Sequence, residues 1–291
     1  MKASAGEKLF YMFNYCVLFV VGISCLIPIV YTLSVSFSNA DAIRSGLVSL
    51  WPIGFSLESY KSLISGTPVI RAFGNSMIIT VVGVILSMMF TIMAAYPLSK
   101  KYFYYTRFFT LAIVFTMLFS GGIIPTFLLM KGLGLVNSYG SVWLVGLVSA
   151  YNMLVLKSFL ENIPAEIEEA AKMDGCGEFG LLIRIIFPLS LPVIAALTLF
   201  YGVHYWNLFM TVLIYIQNVE MHNLTVMVQQ MVNSQSLLIE MNKLDSNEMT
   251  DVTPEGIKSA GIIVMILPMV LIYPLLQKYF VKGVMIGAIK G

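Results

Sequence analysis

Charge is scarce in this chain, and its scarcity excludes several classes of protein. Only 11% of the 291 residues are charged, whereas 58% are hydrophobic and the mean hydropathy is +0.88. Soluble domains contain about 25% charged residues, so this composition indicates an integral membrane protein. The formal net charge of +2 gives no basic surface of the kind that would attract nucleic acid, and we expect no nucleic-acid partner.

Patterns that support catalysis or metal binding are also missing. The chain has two histidines and three cysteines, without the spacing of metal ligands. It has no Gly-Lys dipeptide, so a Walker A phosphate loop is excluded, and no HExxH or G-x-S-x-G arrangement occurs. We therefore predict a non-enzymatic protein without its own cofactor or metal; any ATP and Mg²⁺ that drive it would be bound by a partner subunit.

What the chain does have is long apolar runs. A helix needs about 20 apolar residues to cross a bilayer, and six runs satisfy this: 11–35, 74–98, 107–130, 140–160, 189–216 and 259–280. Prolines interrupt several runs, as neighbouring helices permit. We predict an all-α membrane protein of six transmembrane helices, divided into a first helix with its outer loop (1–73), a core (74–280) and a C-terminal tail (281–291).

The basic residues predict the orientation of these spans. Placing both termini in the cytoplasm puts most of the 17 Lys and Arg residues on the cytoplasmic side, as the positive-inside rule requires. The segment 36–73 would then lie outside, as an ordered loop or as short surface helices. A longer polar loop, 217–258, would also lie outside; it either contacts an external partner or only links two spans.

A charged segment, 162–188, separates two apolar runs. Pro164 can begin a helix and Gly175 can end it in a left-handed conformation. A second amphipathic piece should run from Glu178 to Ile186. On the first helix, Glu168 and Lys172 are spaced to pair at i,i+4, and Ala170 and Ala171 belong to a small apolar face suited to close approach by another protein.

This segment resembles the EAA signature of ABC importer permeases. The matching residues are Glu169, Ala170, Ala171, Gly175, Ile185, Phe187 and Pro188, with Phe187 standing where the signature usually has Leu. In that family the segment is the coupling helix, which fits into a cleft of the ATP-hydrolysing subunit. The resemblance implies coupling roles for Glu169, Ala170, Ala171, Asp174 and Gly175; the alternative is an ordinary connector lying on the headgroups.

The fifth and fourth apolar runs contain uncharged polar and aromatic groups. Tyr201, His204, Trp206 and Asn207 lie together in the fifth, and Asn152 lies in the fourth. Rings and hydrogen-bonding groups of this kind can stack on a sugar and bind its hydroxyls, so these five residues are candidates for a substrate pathway. The alternative is that they hold helices together.

The resemblance extends to 119–138, 201–209 and 278–291, which are similar to carbohydrate-importer permeases of the oligosaccharide class, most of all to the branch serving complex polysaccharide fragments. It implies a type I ABC importer fold in the bacterial plasma membrane and an oligosaccharide substrate. The implied partners are a second homologous permease, two ATP-binding subunits and an extracellular solute-binding lipoprotein. It also implies ATPase-facing roles for Lys282, Gly287 and Lys290. A permease for a non-sugar solute, a secondary carrier and a non-transporting scaffold are the alternatives.

Overall fold

The computed structural model describes residues 5–100, 102–241 and 252–288. Within these ranges the chain is helical and has no β-strand, which confirms the predicted all-α class. The chain forms two compact units. One comprises 1–70 and 227–267, and the other comprises 71–226 and 268–291.

The first unit begins with one long apolar helix, α1 (Ala5–Ser36). Pro28 lies inside it, and the Pro28 carbonyl accepts a hydrogen bond from the Thr32 hydroxyl at 2.8 Å. Two short helices follow, α2 (Ala40–Arg44) and α3 (Glu58–Gly66). The Asn39 side chain caps α2 by accepting from the Ala42 amide at 2.9 Å. The predicted short helices of segment 36–73 are thus confirmed.

The second unit contains most of the remaining helices. α4 (Val69–Leu98) is a continuous 30-residue helix. The helices that follow it are shorter: α5 (Thr106–Leu118), α6 (Ile123–Gly132), α7 (Tyr139–Val145) and α8 (Ala150–Glu161). The chain bends by 114° between α5 and α6 and by 54° between α7 and α8. Gly122 makes the first bend possible, because its φ of +85° is costly for any residue with a Cβ.

The charged segment forms α9 (Ala165–Met173) and α10 (Glu178–Leu181). A π-helical turn (Leu182–Ile186) then leads into α11 (Phe187–Leu189) and the apolar α12 (Leu191–Trp206). The helical axis bends by 80° at Ser190, between Pro188 and Pro192. α13 (Met210–Tyr215) completes the predicted fifth run, which is therefore broken rather than continuous.

The predicted polar loop 217–258 contains a helix, α14 (Leu224–Met241), so the expectation of a loop there was wrong. Apolar residues at its start explain the helix, since Leu224 and Val226 are fully buried. Residues 242–251 lie outside the described residues. The last helix, α15 (Pro254–Ala288), continues beyond the predicted final span and includes the backbone of Lys282 and Gly287; Lys290 lies outside the described residues.

Membrane-spanning potential can be judged from length and composition. Among the described residues, α1, α4 and the first part of α15 are each long and apolar enough to cross a bilayer alone. Three bent pairs also qualify if each is one span: α5 with α6, α7 with α8, and α10–α11 with α12. The six predicted spans thus correspond to three continuous helices and three broken ones.

Candidate functional site

α9 ends in a Schellman motif. The Gly175 amide donates to the Lys172 carbonyl and the Cys176 amide donates to the Ala171 carbonyl, both at 3.0 Å. Gly175 has φ of +78°, the left-handed conformation that this motif requires. The predicted glycine stop is confirmed. α9 itself begins at Ala165, with Pro164 as the N-cap rather than the first helical residue.

α9 is attached to the end of α4 by an ion pair. The Lys100 ammonium contacts the Glu168 carboxylate, and it also lies 4.4 Å from the centre of the Tyr96 ring. The Lys100 side chain is only 6% exposed and that of Glu168 is 19% exposed. A lysine this well buried requires a charged partner, so the contact between α4 and α9 is specific.

A second ion pair joins α9 to α10. The Lys172 ammonium lies 2.8 Å from the Glu178 carboxylate, and the other oxygen of that carboxylate accepts a 3.1 Å hydrogen bond from the Tyr96 hydroxyl. The hydrogen bond to Glu178 raises the pKa of Lys172. The predicted i,i+4 pair between Glu168 and Lys172 was wrong: each of these residues pairs with a residue outside α9.

The outward side of α9 is a stripe at helical spacing, formed by Glu166, Glu169, Ala170 and Met173, and we call it the docking surface. All four are exposed, and Met173 is 88% exposed. The prediction that Ala170 and Ala171 share one exposed face was wrong, because adjacent residues on a helix lie about 100° apart. Ala171 packs instead into the core of its own unit.

The predicted polar cluster of α12 is built around two tyrosines one turn apart. The hydroxyls of Tyr201 and Thr91 are 2.8 Å apart, and the hydroxyls of Tyr205 and Ser87 are 2.9 Å apart. All four residues are fully buried. The two pairs join α12 to α4 as a short ladder of hydrogen bonds. Tyr201, predicted to line a substrate pathway, therefore holds helices together.

The same tyrosines also hold the break between α7 and α8. The Ser149 amide donates to the Tyr201 hydroxyl at 2.9 Å, and the Tyr205 hydroxyl lies 3.4 Å from the Trp143 carbonyl. Backbone groups freed by the bend thus find partners on α12. Gly83 on α4 makes room for this packing, since a Cβ there would lie 2.8 Å from the Tyr205 ring.

The other predicted pathway residues divide into buried and exposed groups. Asn152 and Trp206 are buried, and the Trp206 ring packs edge-on against Phe73 at 5.8 Å. His204 and Asn207 are exposed near the end of α12, and the Asn207 amide donates to the Val203 carbonyl at 2.8 Å. Of the five predicted pathway residues, His204 and Asn207 are the two that are exposed in this chain.

Several residues that organise these sites were not predicted, chief among them Tyr96, Lys100, Ser87 and Thr91. The sequence does contain a pattern that could have identified Ser87 and Thr91. Ser87 and Thr91 are small polar residues four apart in an apolar helix, and Tyr201 and Tyr205 have the same spacing. Two such pairs in a membrane protein favour an interhelical hydrogen-bonded contact.

Comparison with known proteins gives consistent similarities. The family described as "Binding-protein-dependent transport system inner membrane component" matches residues 5–286. The polygalacturonan/rhamnogalacturonan transport system permease protein YtcP of Bacillus subtilis (strain 168) is 37% identical over 288 residues, covering 98% of this chain and 99% of the relative. The arabinooligosaccharides transport system permease protein AraQ of Halalkalibacterium halodurans is 28% identical over 91% of both chains.

One solved structure is similar over nearly the whole chain. It is the crystal structure of a bacterial ABC transporter involved in the import of the acidic polysaccharide alginate. The matched chain has a TM-score of 0.86 and 29% identity, and the match covers 96% of this chain and 99% of that chain.

Proposed function

Because this chain belongs to the family of binding-protein-dependent transport system inner membrane components, we propose that its docking surface couples a separate ATPase subunit to the movement of its membrane helices. The family and the type I ABC importer fold predicted from the sequence are confirmed, and so is the function as a permease subunit of an oligosaccharide importer. The coupling residues and the membrane partners are the parts that we propose.

The coupling role rests on one observation: some carboxylates of 165–178 form ion pairs within the chain, and others are exposed. Glu168 and Glu178 are paired with lysines of the same chain. Glu166, Glu169 and Asp174 are exposed, and none of the ion pairs within the described part of the chain includes them. These carboxylates surround small Ala170 and protruding Met173. The surface thus suits a shallow apolar cleft with a basic rim.

A mechanism follows from this attachment. When ATP draws two partner ATPase subunits together, each would move the segment docked on it, and α9 would carry that displacement into the membrane helices. A second, homologous permease would supply the other half of the pathway, and a solute-binding lipoprotein would deliver the sugar from outside. Both termini and the docking surface would then face the cytoplasm.

The test of docking is a size change at Ala170. Ala170→Trp should prevent the partner ATPase from co-purifying with the tagged permease. The indole is much larger than the methyl group of Ala170 and would keep the partner from fitting closely against α9. Ala170→Ser preserves the size of the side chain and is the matched control, for which co-purification should be retained. Full ATPase retention by Ala170→Trp would contradict the proposed docking surface.

For the substrate, we propose a fragment of a uronic-acid polysaccharide. Two of the similar proteins support this class: one is named for polygalacturonan and rhamnogalacturonan, and the other imports alginate. A competition assay in cells tests it, using uptake of labelled digalacturonate against excess unlabelled oligogalacturonate or neutral maltotriose. Uptake should fall only with the acidic competitor. Uptake of labelled maltotriose with no uptake of digalacturonate would contradict the proposal.

A further inference from the structure

We infer that Lys100 and Tyr96 are positioning residues that make α4 move as one rigid body with α9, α10 and the turn between them, which together we call the docking segment. The inference rests on the proposed coupling function, because it concerns what happens after an ATPase subunit displaces α9. Its basis is a two-point attachment: Lys100 contacts Glu168 of α9, and Tyr96 donates to Glu178 of α10.

A single contact would let α9 and α10 pivot in any direction about it, whereas two contacts leave only rotation about the line that joins them. Tyr96 lies in the last turn of α4 and Lys100 just after it, and the Lys100 ammonium lies 4.4 Å from the centre of the Tyr96 ring, so the two groups are side by side at the C-terminal end of α4. Their partners lie on opposite sides of the turn that joins α9 to α10, Glu168 within α9 and Glu178 at the start of α10. The segment can therefore neither slide along α4 nor swing about a single contact without separating a charged pair or a hydrogen bond.

Lys100 is also held firmly by the backbone. The Lys100 amide donates to the Pro97 carbonyl at 3.2 Å, and the Ser99 amide donates to the Ala95 carbonyl at 3.0 Å. Lys100 therefore lies in a hydrogen-bonded turn that directly follows the last residue of α4. Burial strengthens the link further, since removing one partner of a buried ion pair leaves an uncompensated charge.

Among the ion pairs of the described residues, only Lys100–Glu168 both joins two separate elements and is largely buried. Lys157 and Glu161 pair at 2.7 Å within α8, one turn apart, and the Glu161 side chain is 43% exposed. That pair connects no two elements and provides a matched control. Lys172 and Glu178 pair within the docking segment itself, where they fix its shape rather than its attachment to the membrane helices.

A displacement of α4 would be passed on to α12 through two hydrogen bonds. Thr91 and Ser87 lie about one and a half and two and a half turns before Tyr96 on α4, and their hydroxyls contact those of Tyr201 and Tyr205 of α12. A rotation of α4 would therefore move α12 by way of buried hydrogen bonds. This is a contiguous physical connection from the docking surface to the helix that carries exposed His204.

The experiment measures whether α9 and α4 move together in the assembled transporter. Spin labels are attached at Ala165→Cys on α9 and Met93→Cys on α4, both exposed positions, in a chain whose three native cysteines are replaced. The complex with its ATPase subunits is reconstituted in nanodiscs. The label separation is measured without nucleotide and after trapping with ATP and vanadate.

In the parent chain the separation should not change on trapping. Lys100→Met and Glu168→Gln should each allow a shift of about 2 Å or more, the scale of helix displacements in switching proteins. Lys100→Arg, which keeps the charge, and Lys157→Met, the control pair, should both behave like the parent. If Lys100 only stabilised the fold, Lys100→Met would alter the label separation by the same amount with and without nucleotide, and trapping would cause no further shift.

Two results would overturn the inference: a shift in the parent chain, or no shift in Lys100→Met. Co-purification of the ATPase subunits is measured in the same preparations. It distinguishes a failure of this inference from a failure of the proposed function. Loss of the ATPase from the parent complex would contradict the coupling role itself and would remove the inference with it.

Discussion

The hydroxyl of Tyr205 on α12 lies 2.9 Å from the hydroxyl of Ser87 on α4, and both residues are fully buried. Losing one partner of such a contact costs more free energy than the hydrogen bond itself contributes, because the remaining buried polar group is left unsatisfied. Tyr205 has an additional acceptor in the Trp143 carbonyl. The residue thus holds three helices, α4, α7 and α12.

The first prediction concerns this contact. Tyr205→Phe should lower the free energy of unfolding by about 1–3 kcal/mol, because the Ser87 hydroxyl loses a buried partner. Unfolding in an SDS titration of the purified permease measures it. In a double-mutant cycle with Ser87→Ala, the two effects should be less than additive; strict additivity would show that the two hydroxyls do not interact.

The second prediction concerns the space that Gly83 provides. Gly83→Ala should destabilise the protein by about 1–3 kcal/mol, the usual cost of overpacking, since the new methyl would meet the Tyr205 ring. Gly74→Ala is the control on the same helix, where a Cβ would meet nothing within 4 Å. Equal unfolding midpoints for the two variants would be inconsistent with this packing.

A third prediction uses the left-handed turn at Gly175. Asn tolerates this conformation, whereas a β-branched residue there is strained by roughly 1–3 kcal/mol. Gly175→Asn should therefore keep ATPase co-purification and uptake near the parent level, and Gly175→Val should reduce both. The amount of each variant in the membrane, measured by immunoblot, shows whether a loss comes from insertion instead. Similar activity in both variants would count against the turn's role.

The fourth prediction separates pathway residues from packing residues. His204→Ala and Asn207→Ala should lower uptake of labelled digalacturonate by roughly tenfold, equivalent to about 1.4 kcal/mol, with little change in stability, because both side chains are exposed. Trp206→Ala should instead lower the free energy of unfolding by about 3–5 kcal/mol, as expected for a large buried side chain. Unchanged uptake in both His204→Ala and Asn207→Ala would remove them from the pathway.

The sequence predicted the helical class, the six apolar runs and the helix–turn–helix of the docking segment, because hydropathy and the Gly175 stop are local signals. It also predicted interruptions at prolines such as Pro125, but not the break within the run 140–160, which contains no proline. Residues near a break such as Ser149 are satisfied by Tyr201, which lies far away in the sequence. A contact of that kind leaves no local pattern.

The side chains of the docking segment show the same limit. Spacing within α9 favoured a Glu168–Lys172 pair, but tertiary structure offered each residue a partner elsewhere, Lys100 and Glu178. Ala171 lies in the core because α9 packs against its own unit, which the pattern of the isolated helix does not indicate. Which side of an isolated amphipathic helix faces its own protein depends on neighbours such as the end of α4, and a 3.6-residue period cannot identify them.

The π-helical turn between α10 and α11 determines how Leu181 and Ile186 are oriented. These residues are five apart and both are almost completely inaccessible, at 0% and 1% exposed. In an unbroken α-helix a five-residue interval turns by about 500°, so the two side chains would diverge by about 140°. The wider turn accommodates one more residue and allows both to point inward. Deleting a single residue from 182–186 would consequently turn the π-helical turn into a regular α-helical one and leave α10 and α12 close to their present relative rotation, whereas the same deletion inside α12 would rotate the helix on one side of it by about 100°.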